Sequence, residues 1–220
     1  MKTTTHEEGT RHISEGVPDL PTVLIVDDEA SFRSIVGNIL IMEGYHVAYF
    51  SSAEEILETA LPCGPSCILL DVVMPGMTGI DLQELLAERE SCPPIVFISG
   101  ASGIPETELA MKRGAVGFLE KPFQASDLLS RVQEAIRKSE QDLVTTKKRM
   151  EKLILYKKLT KREKEVIRLV AKGYRNLEIA YELNIKEITV LKHKRCALTK
   201  LCLDSRNRVV LYIFLKDIER

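Results

Sequence analysis

The sequence predicts an α/β domain built on a doubly wound, five-stranded parallel sheet, followed by a smaller all-α domain. Three observations predict it. Short apolar runs alternate with amphipathic segments through residues 21–137, whereas residues 159–220 carry helical periodicity only. Charge divides at the same place. Residues 1–144 hold 10 Lys+Arg and 23 Asp+Glu, a net of −13, and residues 145–220 hold 21 and 9, a net of +12, within a chain of net charge −1.

Thr22-Val-Leu-Ile-Val26 is a strand-length apolar run that stops at Asp27-Asp28-Glu29. Residues 31–43 then set Phe32, Ile35, Ile39 and Leu40 on one helical face, and Gly44 ends the helix. Residues 46–50 form a second strand. Residues 53–61 make a short helix closed by Pro62, and Cys67-Ile-Leu-Leu70 is a third buried strand ending on Asp71. Helix is expected over 78–90, strand over 94–99, helix over 106–113 before Gly114, and strand over 116–119. Lys121-Pro122 precedes a long helix from Ala125, in which Leu128, Leu129, Val132, Ala135 and Ile136 keep helical spacing. Strands and helices in alternation make a parallel sheet covered on both faces. The working crevice of such a sheet lies at the carboxyl ends of its strands. Asp27, Asp28, Asp71, Ser99 and Lys121 all fall there.

Residues 1–20, polar and mixed in charge, are expected to be a flexible tail. Residues 138–158 read as a helical linker, with Leu143 and Met150 seven apart in a Lys/Glu/Gln-rich stretch that allows a short coiled-coil seam. Residues 159–220 open on Thr160 and Glu163 in capping-box spacing, and Gly173 ends the first helix of that domain. Three further helices, over 176–183, 187–201 and 207–218, complete a basic bundle with tight connections, the pattern of a helix-turn-helix.

Composition narrows the setting. A chain that is 45% hydrophobic and 29% charged folds rather than remaining disordered. No apolar run approaches the ~20 residues a bilayer demands, and no apolar core of a secretory signal precedes the first strand, so a cytoplasmic protein without membrane partners is expected. The five cysteines are scattered. Cys63 and Cys67 are spaced for neither a CxxC redox pair nor a common zinc site. The basic half faces either a polyanion or solvent, and charge alone supports both.

The acids decide more. Carboxylates brought together at strand ends repel unless a cation neutralises them, and a hard divalent ion with oxygen ligands answers that need. One aspartate can then attack a phosphoryl donor and hold an acyl phosphate, with Lys121 as counter-charge and Ser99 as hydroxyl donor. Val26-Asp27-Asp28-Glu29, Leu70-Asp71-Val-Val-Met-Pro75 with Gly79, Phe97-Ile98-Ser99-Gly100 and Lys121-Pro122-Phe123 make residues 21–137 resemble a response-regulator receiver domain of flavodoxin-like fold. The resemblance implies that Asp71 is the phosphoacceptor. It implies Asp28, Asp71 and the Val73 backbone carbonyl as Mg²⁺ ligands, with Asp27 acting through water. Ser99 would swing towards the phosphoryl group with Phe118 following it, and Lys121 would sit on a Lys-Pro peptide that is cis in the family. Val73 and Ala101 offer no polar group to hold an attacking water, so slow autodephosphorylation is expected.

The second domain resembles the LuxR-type output domain of the NarL/FixJ branch, through Leu159-Thr160-x-Arg162-Glu163-x-Glu165-Val166, Ala171-x-Gly173, Glu178-Ile179-Ala180, Thr189-Val190-x-x-His193 and Lys200-Leu201. Val190 and Leu201 are expected on the packing side of its recognition helix. Lys192, Arg195 and Leu191 are expected to face the major groove. Thr189, Lys186, Lys194, Lys200, Arg175 and Asn176 suit phosphate contacts, and His193 packing or a phosphate. The chain departs from the pattern at Lys186, where the family usually has a Ser N-cap, and at Leu191, where a basic residue is usual.

Together the two resemblances imply a transcriptional response regulator. A sensor histidine kinase would phosphorylate Asp71, the chain would pair with itself, and the homodimer would bind double-stranded DNA. It would be no enzyme beyond Mg²⁺-dependent self-phosphorylation and slow autodephosphorylation. The competing reading is a receiver-based adaptor or phosphate sink that acts through protein contacts.

Overall fold

In the computed structural model, residues 20–89, 91–100, 110–203 and 208–219 are described. The tail expected over residues 1–20 therefore lies outside them apart from Leu20, as does Ala101. Of the helix expected over residues 106–113, residues 110–113 are described, of which 110–112 are helical and Arg113 lies in a turn. The chain divides into two compact units, residues 1–140 and 141–220.

The five apolar runs of the first unit become β1 (Thr22–Val26), β2 (His46–Phe50), β3 (Ser66–Asp71), β4 (Ile95–Ser99) and β5 (Gly117–Glu120). All pair in parallel, in the order β2-β1-β3-β4-β5. Because side chains alternate along a strand, β1 sends Val23 and Ile25 to one face and Leu24 and Val26 to the other. The first pair joins Cys67, Leu69, Val96 and Ile98, and α1 (Ala30–Met42) packs on that core through Val36 and Leu40. The second pair joins Ile68, Leu70 and Phe97, where α2 (Ala53–Glu58) and α3 (Gly79–Ala87) add Ile56, Leu82 and Leu86. Both faces are covered, as continuous apolar strands require.

Local expectations are corrected at three helices, of which α3 ends at Ala87 instead of residue 90. Ile35 is 62% exposed, because the packing stripe of α1 runs through Val36 and Leu40, with Phe32 and Ile39 half-buried beside it. The second helix ends at Glu58 instead of residue 61: Thr59 turns extended, and its hydroxyl donates to the Glu55 carbonyl at 2.8 Å.

The long helix, α4 (Ala125–Lys157), is unbroken for 33 residues. Its first turns bury Leu128, Val132, Ala135 and Ile136 in the first unit, as their spacing predicts. Leu155 and Tyr156, near its end, pack on the core of the second unit. That core is closed by α5 (Lys161–Lys172), α6 (Asn176–Glu182), α7 (Glu187–Lys200) and α8 (Arg208–Glu219). Val166, Ile167, Ile179, Val190 and Ala197 are its fully buried members. Gly173 ends α5 in the left-handed region at φ 101°, where a side chain would be strained. Ala180 is buried where α6 meets its neighbours, and Val190 and Leu201 are buried as expected.

The capping box at α5 forms as the spacing predicts. The Thr160 hydroxyl accepts from Glu163 N–H at 3.3 Å, and the Glu163 carboxylate accepts from Thr160 N–H at 2.7 Å. Glu163 also receives the Lys200 ammonium at 2.7 and 2.9 Å, which ties the start of α5 to the end of α7. Burial alone would raise the Glu163 pKa, but the bonds from Lys200 and Thr160 prevail and hold it below the usual carboxylate range. A depressed folded-state pKa adds stability above the unfolded value that is lost as pH falls through the folded one. Glu163→Gln should therefore destabilise the second unit by roughly 1–3 kcal/mol at neutral pH. The deficit should shrink on acidification; a denaturation midpoint shift of the same size at every pH would refute the assignment.

Candidate functional site

The strand order reverses between β1 and β3, whose neighbours lie on opposite sides, and such a switch point opens a crevice at the carboxyl ends of the strands. Asp27 follows β1 and Asp71 ends β3. Both are buried, at 2% and 7% exposure. The ammonium of Lys121, just after β5, lies 2.8 Å from Asp27 Oδ2 and 3.3 Å from Asp71 Oδ1. Lys121 is placed by its own N–H, which donates to the Ser99 carbonyl at 2.8 Å; its peptide bond to Pro122 is cis. Ser99 is buried at the end of β4. Phe118, on β5, is half-buried against the core that contains Phe97.

Two further aromatics complete the lysine's surroundings. Lys121 Nζ stands 3.8 Å from the centroid of the Phe32 ring, which meets Phe123 edge-on at 6.1 Å. A cation held over an aromatic face beside two carboxylates has little freedom to leave. Sequence reasoning assigned Phe32 to the helix-packing face alone. Its place four residues after Asp28 is visible in the sequence, but its contact with Lys121 depends on how β5 lies against α1.

The Asp27 carboxylate also accepts from Glu29 N–H at 2.8 Å, and its backbone carbonyl accepts from Arg33 at 2.6 Å. Asp71 has less support. Burial pushes its carboxyl above the ordinary range, Lys121 counteracts in part, and Asp27 and then Asp28 push further upwards. Lys121 answers in the opposite sense. Burial would lower its pKa, but the bond to Asp27 and the charges of Asp27 and Asp71 raise it overall. Asp28 and Val73 are exposed beside this buried group. Among the described residues, no three His, Cys, Asp or Glu side chains gather closely enough to hold a metal ion by themselves.

Gly79, at the start of α3, has a role that its place in the motif did not reveal. Its N–H donates to the Val72 carbonyl at 3.0 Å, and a Cβ on it would stand 2.2 Å from the backbone oxygen of Asp71. Only glycine lets α3 start this close to the acid-bearing end of β3.

In the second unit, α7 buries Val190, Ala197 and Leu198 and turns Ile188, Leu191, Lys192, Arg195, Cys196 and Thr199 outwards. Lys192 and Arg195 are exposed as expected, and Leu191 is 43% exposed. Thr189, His193 and Lys194 are half-buried along the flanks of the helix. Lys186 is the N-cap of α7, exposed and without a side-chain capping bond, as its residue type predicts. Arg175 is exposed and Asn176 half-buried at the start of α6. Lys200, half-buried at the end of α7, has its ammonium engaged by both oxygens of Glu163. Ile188, four residues before Lys192 on the same outward face, is 71% exposed.

No helix among the described residues is long and apolar enough to cross a membrane. Residues 23–133 match the response regulator receiver domain, and residues 157–213 match the bacterial regulatory proteins of the luxR family. Nodulation protein W of Bradyrhizobium diazoefficiens is 37% identical over 179 residues, covering 81% of this chain and 79% of its own length. Response regulator protein TodT of Pseudomonas putida is 34% identical over 199 residues, covering 90% and 86%. Of solved structures, the response regulator StyR superposes with a TM-score of 0.73 at 36% identity, covering 90% of this chain and 99% of its own. Full-length FixJ from B. japonicum superposes with a TM-score of 0.52 at 28% identity, covering 90% and 97%. A buried Asp71 with its lysine partner, a basic helix-turn-helix unit and relatives that span both units lead to one conclusion: the chain belongs to the response regulators, with a receiver domain followed by a LuxR-family DNA-binding domain, homologous to transcriptional regulators such as FixJ and TodT.

Proposed function

We propose that a sensor histidine kinase phosphorylates Asp71 and that this modification controls how strongly the second unit holds specific DNA. The observation that carries the reading is the state of Asp71: a buried carboxylate at a strand end, 3.3 Å from a lysine and held above its usual pKa. A poorly solvated carboxylate is a ready oxygen nucleophile. A P–O bond forms at Asp71 as the bond from phosphorus to the donor breaks, leaving an acyl phosphate.

Asp28, Asp71 and the Val73 carbonyl would hold Mg²⁺, with Asp27 acting through water. This oxygen-only set suits a hard divalent ion and needs fewer than three direct carboxylates. The upward push that Asp27 and Asp28 exert on Asp71 supports the fit, since it marks negative charge that Lys121 alone leaves uncompensated. When bound, the ion supplies positive charge for the acids and the phosphoryl oxygens.

The acyl phosphate carries close to two negative charges and three further oxygens where the carboxylate carried one charge. Lys121 then moves its hydrogen bonds from the carboxylates to the phosphoryl oxygens, and the Ser99 hydroxyl donates to them. Phe118 follows Ser99 inwards and alters the surface around β5, on which the chain pairs with itself. The homodimer places two α7 helices in the major groove. Lys192 and Arg195 reach guanine edges, while Lys186, Thr189, His193, Lys194, Arg175 and Asn176 line the phosphates.

Three outcomes test these steps. Asp71→Asn should abolish phosphorylation and, by removing a carboxylate that burial disfavours, raise the Tm of the metal-free protein by a few degrees near neutral pH. The ionised form of a group whose folded pKa is raised costs stability above that pKa, and the cost vanishes as pH falls through it. The gain should therefore fade in acid; a lower Tm than the parent near neutral pH would contradict the electrostatic account. The phosphoryl group should be long-lived because Val73 cannot hold an attacking water, and Val73→Asn should shorten its half-life severalfold in a phosphate-release assay. Selection from random DNA should enrich a common sequence more strongly with a phosphoryl mimic than without, and Asp71→Asn should not respond to the mimic. Enrichment in neither condition would end the DNA-binding reading, and equal enrichment in both would end the switch.

A further inference from the structure

The outward face of α7 has an apolar end that the lysine and arginine readers do not account for. At 100° per residue, Ile188, Leu191, Lys192, Arg195 and Thr199 form one stripe opposite the buried Val190 and Ala197, with Leu191 on the flank nearest the buried Leu198. The first two are large and aliphatic, exposed at 71% and 43%, and neither belongs to the core of the unit. They occupy the first turn and a half, the part of a recognition helix that comes nearest to base edges. Lys192 stands four residues after Ile188, and Arg195 four after Leu191, so each aliphatic residue has a cation one turn behind it.

Major-groove chemistry selects what this end can read. The edges of G, C and A offer hydrogen-bond donors and acceptors, which lose water without recompense when an aliphatic side chain covers them. The thymine edge alone adds a C5 methyl group to its acceptor. Resting on the proposal that α7 enters the groove, we propose that Ile188 and Leu191 are specificity-determining residues that select thymine by packing on its methyl group. Four residues advance about 6 Å along α7, against about 3.4 Å per base-pair step. A guanine read by Lys192 or Arg195 should therefore lie about two steps from such a thymine.

The test uses the full-length protein with its phosphoryl mimic and the DNA sequence obtained by selection. Each dT in that site is replaced singly by dU, which removes the methyl group and leaves every hydrogen-bonding group in place. At one or two positions the unmodified protein should bind the dU site about three- to fivefold more weakly, the loss expected for one buried methyl. Ile188→Ala and Leu191→Ala each remove an exposed side chain, and circular dichroism confirms that they remain folded. At least one of them should bind dT and dU equally at the sensitive position while keeping its preference for guanine nearby. Selective binding with no dU effect at any position would overturn the proposal and leave the DNA reading intact. A dU effect that persists unchanged in both variants would overturn the assignment to these residues. Absence of selective binding by the unmodified protein would remove both, with the failure lying in the earlier reading.

Discussion

Lys121 shares its ammonium between Asp27 and Asp71, and the architecture of the first unit can be read as the means of bringing these three groups together. Two acids placed at adjacent strand ends in a crevice from which water is largely removed cannot both stay ionised without a cation, because the desolvation penalty is several kcal/mol per charge. The parallel register puts Asp27 and Asp71 side by side, since each directly follows one member of the Val26–Leu70 pair of neighbouring strands. Lys121 arrives from β5, two strands beyond β3, and is steered by its backbone bond to Ser99 and by the Phe32 ring. Gly79 then lets α3 start against the end of β3. Each of these features would have little purpose without the others.

The second unit also buries an acid against a lysine, with the opposite electrostatic result. Glu163 receives two bonds from Lys200 and one from its own capping box, and its pKa is lowered. Asp71 receives a bond from Lys121, two other acids bear on it, and its pKa is raised. One site is electrostatically complete and stabilises a fold. The other retains negative charge without full compensation, as expected of a group that must accept a ligand or a modification.

Most of this architecture was legible in the sequence because it depends on periodicity and on residues at strand ends. The five strands, the glycine stops, the Thr160–Glu163 box and the set Asp27, Asp71, Ser99 and Lys121 each have a local signal. The failures share a cause, which is that the deciding partner is remote in sequence. The Lys200–Glu163 pair has no local signal because its members lie 37 residues apart, and the Phe32 contact has none because Lys121 lies far downstream. Ile35 was placed on the buried face because an isoleucine fits either flank of an amphipathic helix, and Val36 is better centred on the core. Ile188 was passed over because an aliphatic residue on a basic helix reads as packing until its exposure is known.

The Glu163–Lys200 pair also bears on counterion release. DNA affinity falls with salt in proportion to the number of phosphates neutralised, with a slope of about −0.9 per contact. A lysine already neutralised by an internal carboxylate displaces no counterion from DNA. The basic half, net +12 by sequence, thus presents a smaller effective valence to a polyanion than its count of lysines and arginines suggests. Glu163 is a capping residue by position and, through Lys200, it also pairs within the fold one of the positive charges of the basic half.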